Sequence, residues 1–339
     1  MGTNRASSVP FAGMGALLCL AALACSASAF CAPPTSARRA VAPLRSMDAD
    51  ADYEAPSDTS EFDGDDVVDV AQAADDLDAL KRELLIKMSA SARGQAKTAG
   101  GLNDEVEALA SRLEASAAPV SLKDVTGRWS LSFCSTQLFR SSPFWMAGRA
   151  TCADGKEAER YDWFCEQHRK ATMVSEIGAV RQIITDDELV SEFETTVAAF
   201  PMRVGGAMPL NILGSIVSSA SIVAATGGGE AGGALDLELL MGDVEVKGSN
   251  IPGLRTILDA GAKLDSRALN DALPIDTPRP VFSTTFVDDE IRVSRDGDRN
   301  LYVYVKESAD PYLTTYDDVA ADLGIPELVT GVLGALSSS

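Results

Sequence analysis

The chain has 339 residues, of which 46% are hydrophobic and 23% charged; this permits a substantial core and excludes a wholly disordered protein. Its 50 acidic and 29 basic side chains give a formal net charge of −21, which argues against nucleic acid as a general partner and against bulk attraction to anionic lipids. The single histidine, His168, removes most histidine-based catalysis and most histidine metal sites.

The first 29 residues have the features of a secretory signal peptide. Arg5 is the only charge before an apolar stretch over residues 11–25, and Ala27-Ser28-Ala29 fits the pattern of a cleavage site. The alternative, a buried N-terminal helix, is disfavoured because the stretch is short and ends in small residues.

Residues 30–46 have the composition of a plastid transit peptide, with three arginines, many small or hydroxyl side chains and no acid. The junction, with Phe30 directly after Ala29, resembles the bipartite leaders that direct nucleus-encoded proteins into complex plastids of red-algal descent. Removal of residues 1–46 takes away four arginines, which changes the net charge from −21 to −25, and leaves Cys134, Cys152 and Cys165. So sparse and odd a set of cysteines fits a reducing compartment such as a plastid stroma.

An acidic segment and a helical lead-in follow. Residues 48–78 contain thirteen acidic and no basic side chains, so 47–76 is predicted to be a disordered linker, with an interaction tail as the alternative. Residues 77–118 are predicted to form two helices that pack on a downstream element, because they are too short to be stable alone. Their apolar residues recur at helical spacing, at Leu77, Leu80, Leu84, Leu85 and Met88 and, after an Asn103 cap, at Val106, Leu109 and Leu113.

Residues 119–307 are predicted to be mainly β. After Pro119 apolar and polar side chains alternate with a period of two, and Asp296-Gly297 between two such runs indicates a hairpin. Many antiparallel strands with few helices predict a closed or nearly closed β-barrel, with one helix inserted over 254–272 and a tail from 308 to 339.

The stretch 204–229 carries no charge. A transmembrane helix is disfavoured because Pro209, Gly214 and the glycines at both ends interrupt it; a buried pair of strands is the preferred interpretation. Since an acidic protein depends on apolar surface to bind lipid, this stretch is also the predicted site of membrane contact, as a flap. The candidates are Ile212, Leu213, Ile216 and Val217.

Separated motifs in the strands point to a known family. Gly127-Arg128-Trp129 opens the first strand, and near the end of the domain residues 291–297 and 301–305 form a Ser-Arg turn and an apolar strand. Residues 135–144 and 247–252 are similar to one subgroup of the same family. Together these motifs resemble the plastid lipid-associated proteins, or fibrillins. The resemblance covers residues 77–307 and implies a lipocalin-like antiparallel β-barrel that holds an apolar ligand.

The first strand also predicts structural roles. Gly127 allows a tight chain path, Trp129 plugs one end of the barrel, and a late arginine, Arg295 or Arg299, lies across the indole as a cation–π partner. The predicted ligand-lining residues are Trp129, Leu131, Phe133, Phe193, Val197, Leu239 and Val303.

Catalytic and metal-binding motifs are absent from the sequence. There is no P-loop, no G-x-S-x-G and no H-E-x-x-H motif. Cys152, Cys165 and His168 lack paired metal-ligand spacing, so residues 150–171 are interpreted as an ordinary loop with His168 exposed. We therefore expect no enzyme activity, no metal and no cofactor.

These observations predict a plastid lipid-associated protein that binds a carotenoid, quinone or acyl lipid at stroma-facing thylakoids or plastoglobules. Its expected partners are the apolar ligand, that lipid surface and a plastid enzyme, with no nucleic acid. Two alternatives from other classes stay open: a scaffold without ligand that holds a plastid biosynthetic enzyme, and a lipid-modifying enzyme on a lipocalin scaffold.

The leader gives the first testable prediction. A fluorescent protein fused behind residues 1–46 is expected to enter the plastid, and the mature chain to begin near Met47. Fluorescence microscopy and N-terminal sequencing check these outcomes, and secretion of the fusion contradicts the bipartite interpretation.

Overall fold

The computed structural model describes residues 66–96, 100–152, 155–172, 175–200, 210–227, 233–259, 263–265 and 279–323, with a few positions beyond 323. The leader, residues 47–65 of the predicted linker and both ends of the uncharged stretch lie outside these residues. The helices are α1 (Asp66–Ala90), α2 (Gly100–Ala115), α3 (Leu122–Val125), α4 (Pro143–Thr151), α5 (Gly155–Ala171) and α6 (Pro252–Asp259), with a 3₁₀ turn at Leu138–Ser141. The strands are β1 (Gly127–Cys134), β2 (Ser175–Ile184), β3 (Glu188–Phe200), β4 (Leu210–Gly227), β5 (Leu235–Lys247), β6 (Lys263–Asp265), β7 (Val281–Val287), β8 (Ile291–Arg295) and β9 (Leu301–Ser308).

Eight of the described strands form one antiparallel sheet that closes in a ring. Strand β1 pairs with β2 and β9, and the sheet continues from β2 through β3, β4, β5, β7 and β8 back to β9. The short β6 pairs only with β5. The predicted mainly β, antiparallel architecture is confirmed. Because side chains alternate along a strand, every strand of the ring has an inner and an outer face.

Helices α1 and α2 cover the outer face of β1, β8 and β9. The helical stripes pack on the sheet except at Leu85, which is 37% exposed; α1 begins at Asp66, within the predicted linker, and Asn103 lies inside α2 instead of capping it. The packed residues are Leu80, Leu84, Met88, Val106, Leu109 and Leu113 from the helices and Phe133, Ile291, Val293, Leu301 and Val303 from the strands.

Arg295 on β8 forms ion pairs with α2. Its Nε and Nη2 donate to the two carboxylate oxygens of Glu114 at 2.6 and 3.0 Å, and Glu107 lies 2.7 Å from Nη2. Burial raises the pKa of Glu114, but hydrogen bonds from Arg295 and Thr285 outweigh it, so the pKa is lowered. This bidentate pair fixes the helix against the outer face of β8.

The hairpin between β8 and β9 forms at the predicted Asp-Gly position. Asp296 holds the turn, because its Oδ1 accepts from the amides of Asp298 and Asn300 at 3.0 and 2.9 Å. The left-handed residue is Arg299, with φ 66°, and not Gly297.

Three segments differ from their sequence interpretation. Residues 150–171, interpreted as a loop, are largely the helix α5. The stretch 210–227, interpreted as a pair of strands, is the single strand β4, because no turn interrupts its pairing with β3 and β5. The inserted helix is α6, which ends at Asp259 and is followed by β6; residues 266–272 lie outside the described residues.

The described start of the predicted tail packs on the outer face of β1 to β4. Arg128 donates from Nη1 to the carbonyl of Tyr312 at 2.9 Å and from Nη2 to Oγ1 of Thr314 at 2.7 Å. The Thr314 amide donates to the buried carboxylate of Glu192 at 2.9 Å. Tyr316 then covers the outer side of Val217. This segment is therefore part of the folded unit.

Two tryptophans provide a matched test of the core. Trp129→Ala is expected to lower the free energy of unfolding by about 3–5 kcal/mol, because its indole is fully buried and donates to the Val125 carbonyl at 2.8 Å. The control Trp163→Ala, whose side chain on α5 is 63% exposed, is expected to change it by less than about 0.5 kcal/mol. Urea unfolding checks both, and equal shifts for the two variants contradict the assignment.

Candidate functional site

The inner face of the ring carries a large apolar cluster. Of the predicted lining residues, Trp129, Leu131, Phe193 and Leu239 belong to it. Its other strand residues include Val180, Ile184, Leu189, Ala220, Leu235, Leu237, Phe282, Tyr302 and Tyr304.

Two predicted lining residues lie elsewhere, and a third, Val197, is only partly buried. Phe133 and Val303 are on the outer face beneath the helices, so the prediction that they line the interior is wrong. A bulge between Leu131 and Phe133 turns Phe133 outward, where it pairs with Val303. Val197 is half-buried in the second half of β3.

A row of buried polar side chains crosses this apolar face. Gln182, Ser191 and Ser218 lie directly opposite one another on β2, β3 and β4, and all three are buried. Gln182 donates from Nε2 to the carbonyl of Ser141 at 2.9 Å. No hydrogen-bond partner for Oγ of Ser218 is present among the described residues.

Arg292 points into the ring and is fully buried. Its Nη2 donates to Oε1 of Gln182 at 2.5 Å, and its Cζ lies 4.2 Å from the ring centroid of Tyr304. Its Nε and Nη1 have no partner in the described part of the chain, and no described carboxylate forms an ion pair with it. Burial lowers the pKa of Arg292 to about 10, so the side chain is still charged at neutral pH.

Trp129 lies beside two cations. Cζ of Arg292 is 5.2 Å and Nζ of Lys306 is 5.0 Å from its ring centroid. The prediction that Arg295 or Arg299 covers the indole is wrong, because Arg295 is three residues from Arg292 and therefore on the opposite face of β8. Gly127 begins the strand at φ 132°, and a Cβ there would lie 2.7 Å from the carbonyl oxygen of Ser308.

Aromatic residues of the 3₁₀ turn, α4 and α5 pack onto the inner cluster. Phe139, Trp145 and Tyr161 are buried members of that cluster. His168 belongs to this group: its ring centroid is 4.7 Å from Phe139 and 4.8 Å from Trp145. The prediction that His168 is exposed is wrong, and burial lowers its pKa to about 4.

A groove of about 450 Å³ lies between β1 and β2. The two strands pair only from Gly127 to Ser130, and beyond that point the turn after α1 bridges them. Arg93 in this turn donates to the carbonyls of Ile177 and Gly178 at 2.6 Å each. Leu85, Met88 and Ala92 line the groove on the helical side; Leu131, Ala179 and Val180 line it on the strand side. Leu131 and Val180 also belong to the inner cluster, so two buried side chains separate the groove from the interior of the ring.

The four membrane-contact candidates lie on both faces of β4. Ile216 packs on the inner cluster, Val217 is covered by Tyr316, and Ile212 is buried. Only Leu213, at 40% exposure, is available on the surface. Among the described helices, none has the length and apolar character needed to cross a membrane.

Thiol and metal chemistry find little support in the described residues. These contain no cluster of three or more His, Cys, Asp or Glu side chains that could hold a metal. Burial raises the pKa of Cys134 to about 12 and of Cys165 to about 11, which makes both thiols poor nucleophiles.

No protein-family model, curated protein or solved structure matches this chain. The resemblance to the fibrillins therefore stays a prediction.

The sequence interpretation missed Arg292 and Gln182. Arg292 stands in the alternating run 291–295, which indicates a strand but not which of its faces points inward. The predicted helices before the first strand were the signal that could have revealed Arg292. Because helices cover the apolar outer face at Ile291 and Val293, the alternate residues of this strand must face the interior.

The protonation of His168 is expected to make the free energy of unfolding depend on pH. Its folded pKa of about 4 lies below the ordinary 6.5, so the unfolded chain binds a proton first as the pH falls. We expect the contribution of His168 to the free energy of unfolding to be complete above pH 6.5 and to fall by about 3 kcal/mol as the pH drops from 6.5 to 4. His168→Gln should show a correspondingly smaller loss in urea unfolding over that window. The imidazole NMR signal of this single histidine gives the pKa directly, and a value near 6.5 contradicts the burial.

Proposed function

We propose that this chain is a lipocalin-like β-barrel that binds an apolar metabolite, a carotenoid, quinone or acyl lipid, as a plastid lipid-associated protein. The observation that carries the proposal is the apolar inner face of the closed ring, together with the groove that Leu131 and Val180 separate from it. The unpartnered donors of Arg292 lie on the same face.

The driving force is removal of apolar ligand surface from water. Each 100 Å² of ligand surface buried in the ring contributes about 2.5 kcal/mol. An apolar lining discriminates among ligands mainly by shape, so long hydrocarbon or isoprenoid chains are the class that the site accepts.

We place the protein at the stromal face of thylakoids or at plastoglobules. The bipartite leader supports the plastid, and the net charge of −21 leaves apolar side chains as the means of peripheral lipid contact. Exposed apolar side chains that suit this role are Leu213 and Val223 on β4, Ile257 on α6 and Trp163 on α5.

Lipid extraction of the purified full chain tests the binding function. Mass spectrometry is expected to find an apolar lipid at about one molecule per chain. Ala179→Trp, which places an indole in the groove, should lower the amount of bound lipid. Thr226→Trp, at an exposed position on the outer face of β4, is the matched control and should leave it unchanged.

The same lipid extraction distinguishes the carrier from the scaffold and from the lipid-modifying enzyme. A chain that is always empty, and that takes up none of the added lipids, contradicts the carrier and favours the scaffold for a biosynthetic enzyme. Chemical conversion of an added lipid favours the lipid-modifying enzyme.

A further inference from the structure

The guanidinium of Arg292 is a buried cation without a counter-ion among the described residues. An unpaired buried charge destabilises a protein, because the interior solvates it less well than water does. The cation–π contacts with Tyr304 and Trp129 cover its faces, but they leave the N–H groups of Nε and Nη1 without acceptors.

We infer that the ligand of the ring carries a carboxylate, and that this carboxylate binds Arg292. The inference rests on the proposed function, because it names the chemical class of the bound molecule: a long-chain carboxylic acid. The acid would supply both the negative charge and the acceptors that Arg292 lacks.

The donor geometry fits a carboxylate. Nη2 carries two hydrogens, and Gln182 accepts from it at 2.5 Å. One hydrogen of Nη2 lies on the side of Nε and the other on the side of Nη1. If Gln182 accepts the hydrogen on the Nε side, Nη1 and Nη2 still offer two parallel donors. If it accepts the other hydrogen, Nε and Nη2 offer them. In either case one two-donor edge remains, which matches the two oxygens of a carboxylate.

The charge balance favours a carboxylate over a phosphate. The fully buried guanidinium of Arg292 neutralises one carboxylate. A phosphate monoester near charge −2 would need a second cation in the interior, and Lys306, which also lies beside Trp129, is only partly buried. Gln182 holds the guanidinium in place, because its own Nε2 is anchored on the Ser141 carbonyl. It is therefore a positioning residue for Arg292.

The register connects Arg292 with the groove. Leu131, Tyr304 and Arg292 lie opposite one another on β1, β9 and β8, so two strand spacings, or about 10 Å, separate the groove residue from the arginine. The guanidinium is fully covered in this structure, so the carboxylate reaches it by moving apart inner side chains such as Leu131 and Val180. The hydrocarbon tail then extends along the apolar residues of the groove.

The test uses the full chain and the neutral fluorescent probe N-phenyl-1-naphthylamine, whose binding reports an apolar site independently of charge. Hexadecanoic acid, its methyl ester and hexadecyl phosphate compete with the probe at pH 8. We expect the acid to displace it at a concentration about 10- to 100-fold lower than the ester, the range that charge-assisted hydrogen bonds provide.

Three variants at two arginines locate the head group. Arg292→Met should abolish the preference for the acid while the neutral probe still binds. Arg279→Met, at a surface arginine that is 56% exposed and pairs with Glu238 away from the groove, is the matched control and should keep the preference. Arg292→Lys keeps the charge but removes the two-donor edge; it should reduce the preference, and it serves as the second variant if Arg292→Met does not fold by circular dichroism.

Three results of the competition experiment would contradict the carboxylate site or the proposed function. If the probe binds but acid and ester compete equally, or if the preference survives Arg292→Met or is lost in Arg279→Met, the carboxylate site at Arg292 is wrong and the proposed function stands. Tighter competition by hexadecyl phosphate overturns the choice of carboxylate. If neither the probe nor any lipid binds, the proposed function and the inference both fail.

Discussion

Closure of the sheet between β4 and β5 is the constraint on which the rest of the structure depends. Closure pairs most of the strand edges, with a gap between β1 and β2 beyond Ser130, and it converts the alternation of each strand into an inner and an outer face. The apolar surface is then divided between two cores. One fills the ring, and the other lies between the ring and the helical pair α1 and α2.

The outer face is held by charge-assisted contacts at two places. Arg295 binds Glu114 of α2 beside the helical core, and Arg128 binds the segment after β9 on the other side. Both arginines are almost fully buried, but each has several acceptors, so their desolvation is offset. The inner arginine differs from them in this respect alone. Arg292 is as buried as they are, yet its described partners are one amide oxygen and two aromatic rings.

Arg128 and Arg295 have an evident role in stability, whereas stability does not explain Arg292, which has no carboxylate partner in the part of the chain that the structure describes. A fold selected for stability alone would place a hydrophobic residue at an inner position of β8, because such a residue packs without a desolvation penalty. Side chains that reduce stability without an evident structural benefit are concentrated at functional sites. The donors of Arg292 that lack a described acceptor are therefore the part of the inner face on which the proposal of a bound carboxylate depends.

Local periodicity in the sequence determined the classes of the elements. The helical stripes of α1 and α2, the alternating strands, the Asp296 hairpin and the burial of Trp129 all follow from residue spacing and turn chemistry. Tertiary structure alone decided which face of a strand points inward, because β8 and β9 are buried on both sides and their alternation has two equivalent solutions. The bulge after Leu131 sends Phe133 to the outer core, and the docked helices turn Arg292 inward and Arg295 outward. The helix α5 was missed because its many charged residues hide the few that pack, Tyr161 and Cys165, until α4 and the ring bury them.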